Sequence, residues 1–142
     1  MTAPKPLVLV VHPEDHIRVS LYSILDHEGY GVATCERASE ALRYLAEARP
    51  SIVVSDSRIP DMDVWEFLQR VRSGSLGTRM ILLGHSLQDV RKSRDVDSLG
   101  VMVLLRPLQR RELLRAVEGR GDRDASWTEP VRYPSVTVGA DR

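Results

Sequence analysis

The sequence predicts an α/β domain: a five-stranded parallel sheet, doubly wound, with helices on both faces. Two observations carry this. Five short apolar runs, each of strand length, are separated by segments whose apolar residues recur at helical spacing. The alternation is strict, and strands that alternate with helices build a parallel sheet covered on both sides.

The first run, Pro6 to Val11, is continuously apolar and reads as a strand buried on both faces. After His12-Pro13, the segment Glu14 to Glu28 sets Ile17, Leu21, Ile24 and Leu25 on one helical stripe, with Glu14 and Asp15 in a first turn that favours anions. Gly29 and Gly31 end that helix, and Gly31 to Cys35 is the second strand. Ser39 is a candidate cap for a helix carrying Ala41, Leu42, Leu45 and Ala48 up to Pro50. The third strand closes on Asp56.

Asp63, followed three residues later by Glu66, has the form of a capping box and starts a helix with Val64, Phe67, Leu68 and Val71 inside. A glycine-containing turn, Ser73 to Thr78, leads to a fourth strand, Met80 to Leu83, and Ser86 caps a fourth helix to about Leu99. Val101 to Leu105 is the fifth strand and Leu108 to Glu118 the fifth helix. The domain spans residues 1–119. Residues 120–142 are polar and broken by Gly121, Pro130, Pro134 and Gly139, which reads as a mobile tail, with Trp127 and Tyr133 as candidate anchors on a partner.

Composition narrows the function. Twenty basic and twenty acidic residues cancel, so the chain carries no electrostatic footprint for nucleic acid or an anionic membrane. No apolar stretch approaches the roughly 20 residues that span a bilayer. The single cysteine, Cys35, has no internal disulfide partner. These features fit a cytoplasmic protein.

In a doubly wound sheet the first and third strands are neighbours, and ligands bind in the crevice beyond the carboxyl ends of the strands. His12, Asp56, Gly84 and Arg106 therefore converge on one rim from four strands. The order of elements, together with Leu9-Val-Val11, Ser55-Asp56 with Ile59-Pro60 after it, Ala41-Leu42 and Leu105-Arg-Pro107, resembles the receiver domain of bacterial response regulators over about Leu7 to Glu118. The resemblance implies a flavodoxin-like strand order, 2-1-3-4-5, and a cis bond at Arg106-Pro107. It also implies an aspartate at Asp56 that accepts a phosphoryl group from a histidine kinase.

The same resemblance implies four helpers: an acidic pair after the first strand, a hydroxyl after the fourth, an aromatic on the fifth, and a lysine before a proline. Here the acidic pair falls on His12 and Pro13, the hydroxyl on Gly84, the aromatic near Val103, and the lysine on Arg106. Phosphoryl transfer depends on positioning and on neutralising charge, chiefly through Mg²⁺, which takes oxygen ligands in octahedral geometry. Pro13 offers no ligand and His12 offers nitrogen, which suits zinc, nickel or copper better. No cofactor is expected, Mg²⁺ is disfavoured, and Glu14 with Asp56 would hold a divalent ion only if one bound. Loss of the hydroxyl at Gly84 and of the aromatic at Val103 removes both moving parts of the family's relay.

Arg106 keeps the lysine's charge and adds a planar fork suited to a carboxylate. At about 4 Å and an effective dielectric near 20 its gross attraction to Asp56 is roughly 4 kcal/mol before desolvation. The expectation is a standing cluster of Asp56, Arg106 and His12 that holds one conformation. His85 lies near the rim, while His16 and His27 fall on the solvated side of the first helix.

Three functions remain open at this point. The first is an atypical receiver of two-component signalling, not an enzyme, that acts as a protein-interaction module with weak or no Mg²⁺-dependent phosphorylation. The second is a working phosphoacceptor phosphorylated on Asp56 by a histidine kinase. The third is a small-ligand or flavin-binding domain, although His12-Pro13-Glu14-Asp15 would repel an anionic headgroup where a phosphate loop is needed. The resemblance places the protein partner, or a second copy in a homodimer, on the fourth helix, fifth strand and fifth helix, with the tail as the other docking element.

Overall fold

Alternation of side chains along the strands divides the core into two halves, one on each face of the sheet. The computed structural model describes residues 5–86 and 99–119. Within them the chain forms β1 (Leu7–Val11), α1 (Asp15–His27), β2 (Gly31–Cys35), α2 (Ala38–Ala48), β3 (Ile52–Asp56), α3 (Val64–Gly74), β4 (Arg79–Gly84), β5 (Val101–Leu105) and α4 (Arg110–Glu118). The expected helix from Ser86 to Leu99, except at its ends, and the tail lie outside the described residues.

All strand pairs are parallel, in the order β2-β1-β3-β4-β5. This is the doubly wound arrangement that the sequence predicts. Leu7, Leu9 and Val11 of β1 enter one half of the core with Val53, Met80 and Leu82, beneath Ala41 of α2 and Phe67, Leu68 and Val71 of α3. Val8 and Val10 enter the other half with Val54, Ile81 and Leu83, beneath Leu21 and Leu25 of α1 and Leu113 and Val117 of α4. Because β1 and β3 are paired centrally, with Val11 beside Ser55, their tips stand next to each other at the rim.

Several helix ends differ from the sequence expectation, each for a local reason. Glu14 is not in the first turn of α1 but at its N-cap, with extended backbone, and Asp15 takes the first turn. Ser39 is not the cap of α2; the helix starts at Ala38, and its free N–H groups are met by another loop. Asp61 accepts from the Ala38 N–H at 2.8 Å and the Ser39 N–H at 3.0 Å, so the β3–α3 loop caps α2 from outside. The last helix begins at Arg110, two residues later than Leu108, after a cis Arg106–Pro107 bond. Asp63 caps α3 as expected, accepting from the Trp65 and Glu66 N–H groups.

A second tie fixes the lower end of α3. The Arg72 guanidinium donates to the carbonyls of Leu99, Leu76 and Thr78, at 2.7 to 3.1 Å, with a longer contact to Ser75. One side chain therefore satisfies the carbonyls of the turn between α3 and β4 and of the residue that precedes Gly100.

Candidate functional site at the strand tips

Asp56 is the last residue of β3, and burial there is nearly complete. Its Oδ2 accepts from the Arg58 N–H at 3.0 Å, the bond by which an aspartate turns its own following loop. His85 Nε2 approaches the same oxygen at 3.3 Å. On the other side His12 Nε2 stands 3.3 Å from Oδ1, close enough to act on its charge but off the line of a well-directed hydrogen bond.

His12 is wired on every side. Its N–H donates to the Cys35 carbonyl at 3.0 Å, and its own carbonyl accepts from Arg18 at 2.6 Å. Its Nδ1 accepts the Glu14 N–H at 3.1 Å. A nitrogen that accepts carries no proton, so the neutral ring keeps its hydrogen on Nε2, facing Asp56. Arg18, buried on α1, is clamped in turn by Asp15. The loop after β1 is thus held by a cation where the family pattern has acids.

These contacts set the charge of Asp56. Burial pushes its carboxyl up, but the adjacent His12 imidazole, the Arg58 N–H and His85 together outweigh burial and bring it down from 3.8 to about 2. The carboxylate is ionised at neutral pH, with both oxygens facing partners.

The expected Asp56–Arg106 pair does not form. Arg106 is exposed, its backbone N–H bonds the Gly84 carbonyl at 3.2 Å, and among the described residues no ion pair involves its guanidinium. The physical reason is competition: Asp56 already has the Arg58 N–H and two imidazoles, and burying a guanidinium beside it would cost hydration. Glu14 also turns away, its carboxylate 3.4 Å from His16 Nε2 on the exposed start of α1. Pro13 is half-buried beside it. Gly84 ends β4 opposite Leu105, and Val103 packs with the core half beneath α2 and α3.

The donor set fits Mg²⁺ poorly. The ion needs several oxygens, yet among the described residues Asp56 is the carboxylate at the strand tips, and Glu14 and Asp15 are paired with His16 and Arg18. Nor does His12 suit a nitrogen-seeking metal. A ligating histidine gives up the lone pair of one nitrogen and donates from the other, whereas here Nδ1 receives a backbone N–H and Nε2 holds the proton.

Sequence reasoning left His85 undecided and passed over Arg18. The position of His85, directly after β4, was a usable signal, because that strand lies beside β3 with Leu83 opposite Asp56. Arg18 gave a weaker one, three residues after Asp15 on a helix.

Comparison with known proteins identifies the family and the fold. The family model for the response regulator receiver domain matches residues 8–118. The transcriptional regulatory protein AfsQ1 of Streptomyces coelicolor is 31% identical over 136 residues, which cover 94% of this chain and 59% of that protein. Sporulation initiation phosphotransferase F of Bacillus subtilis is 28% identical over 94 residues, covering 65% of this chain and 76% of that one. Among solved structures, the chemotaxis response regulator CheY4 of Vibrio cholerae superposes with a TM-score of 0.74 at 27% identity, covering 82% of this chain and 98% of that chain. A response regulator receiver protein from Pseudomonas putida gives 0.73 at 28% identity, covering 83% and 99%. The chain thus spans little more than half of AfsQ1, at 59%.

Proposed function

The chain belongs to the response regulator receiver domain family, and from that membership we propose that it is an atypical receiver: a cytoplasmic protein-interaction module of two-component signalling with weak or no Mg²⁺-dependent phosphorylation. It signals by docking in one conformation, without acting as an enzyme. One observation carries the reading: both oxygens of Asp56 already face protein groups, His12 on one side and His85 with the Arg58 N–H on the other. An incoming phosphoryl group would have to displace these and would find no set of oxygen ligands to neutralise its charge.

The partner surface in this reading is β5 and α4 together with the segment that follows Ser86, or residues 120–142. A homodimer would use the same face. No helix among the described residues is long and apolar enough to cross a membrane.

A second reading has its own support. Asp56 sits at the tip of β3 as a buried, ionised carboxylate and lines an open cavity, so phosphorylation there by a histidine kinase is the alternative. Incubation with acetyl phosphate and Mg²⁺, followed by intact-mass measurement, separates the two. The proposal expects little or no gain of one phosphoryl mass; a stoichiometric gain that disappears in Asp56→Ala would establish the alternative.

A further inference from the structure

Between α1 and α4 lies a cavity of about 540 Å³, within the roughly 300–1,000 Å³ typical of small-molecule sites. Its walls are apolar: Ile17, Leu21 and Ile24 come from α1, Leu104 from β5, and Leu108 and Leu113 from the last turn and helix. The polar lining is His12, Asp56, Arg106 and Arg110 from the strand tips and the start of α4, with Ser20 on α1.

The charges of that lining are unequally satisfied. The Arg110 guanidinium is held by Glu28 at 3.1 Å. The Asp56 carboxylate faces His12 and His85. Arg106 is exposed and, among the described residues, has no ion-pair partner. The cavity thus offers an apolar body-site with, among the described residues, one lining cation that has no ion-pair partner.

We infer that the α1–α4 cavity binds an amphipathic organic anion, its apolar body between the two helices and its carboxylate on Arg106. The apolar walls supply affinity by removing hydrocarbon or aromatic surface from water. The guanidinium fork supplies selection for a planar carboxylate. Because Asp56 and His12 form part of the same wall, occupancy would be felt at the strand tips without any phosphoryl group. The inference does not depend on whether Asp56 can be phosphorylated.

The test uses the full chain and two matched probes, 2-naphthoate and its uncharged counterpart 2-naphthalenemethanol, titrated by calorimetry. One naphthoate per chain should bind, about tenfold tighter than the alcohol, because the carboxylate gains a charge-assisted bond. Arg106→Gln should abolish that preference, bringing the affinities of the two probes together. Ser20→Trp, which places an indole in the cavity from an exposed helix position, should remove binding of both probes. Circular dichroism checks the variants, and Ile17→Trp serves the same purpose if Ser20→Trp does not fold. No saturable binding of either probe, an anion preference that survives Arg106→Gln, or binding indifferent to the folded indole variant would each overturn the inference.

Discussion

Nε2 of His12 stands 3.3 Å from Oδ1 of Asp56, and the other nitrogen of that ring is occupied by the Glu14 N–H. The backbone thereby chooses the tautomer. With the lone pair of Nδ1 turned to the loop, His12 can offer Asp56 a proton but cannot offer a metal a lone pair. Long-range ¹⁵N NMR at neutral pH should report His12 as the Nε2–H tautomer. An Nδ1–H signal would mean that the loop is wired differently and that a metal could be held there.

The depressed Asp56 carboxyl gives a pH dependence of definite sign. Its value is about 2 in the fold against an ordinary 3.8, so its pairing stabilises fully above the unfolded value and the benefit is lost as pH falls from 3.8 towards 2. The interval corresponds to a stabilisation of about 2 kcal/mol. Asp56→Asn lacks that titration. Urea denaturation of both proteins across this range should show wild type losing about 2 kcal/mol relative to the variant; a constant difference between them would contradict the assignment.

Asp61 caps a helix that is not its own, and its removal tests that tie. Asp61→Ala leaves the Ala38 and Ser39 N–H groups without their acceptor and should lower stability by about 1 kcal/mol. Asp61→Asn keeps one acceptor oxygen where the two N–H groups use one each, and should recover only part of the loss. Amide exchange should quicken first at the start of α2.

Arg72 holds the turn after α3 by hydrogen bonds to carbonyls rather than by an ion pair. Arg72→Met should therefore destabilise by about 2 kcal/mol, since carbonyls are left without donors. Arg72→Lys should rescue only part of this, because one ammonium cannot span the Leu76, Thr78 and Leu99 carbonyls as the fork does. Full rescue by lysine, read from the urea midpoint, would show that charge alone suffices.

The parts of the fold legible in the sequence are those governed by local pattern. Continuous apolar runs gave the strands, helical spacing in α1 and α3 gave their buried faces, and Asp63 announced its own helix because cap and helix are adjacent. What stayed hidden depends on contacts between distant segments. Asp61 reaches Ala38 across 23 positions, Arg72 reaches Leu99 across 27, and His85 reaches Asp56 across 29. The expected Arg106–Asp56 pair failed for the same reason: charge complementarity was visible, but the competing imidazoles and the Arg58 N–H could be weighed only once the strand tips were side by side. The site was legible in its residues and in the approach of His12 to Asp56, but not in the roles of Arg106 and His85.

The central claim is that the strand tips do not assemble a phosphoryl-like group around Mg²⁺. Adding Mg²⁺ and beryllofluoride, a mimic of the phosphorylated aspartate, to ¹⁵N-labelled full chain measures this directly. The account predicts spectra that stay essentially unchanged at millimolar concentrations, at Asp56 and across β5 and α4. Saturable shifts at the strand tips that spread to β5 and α4, and vanish in Asp56→Asn, would contradict it.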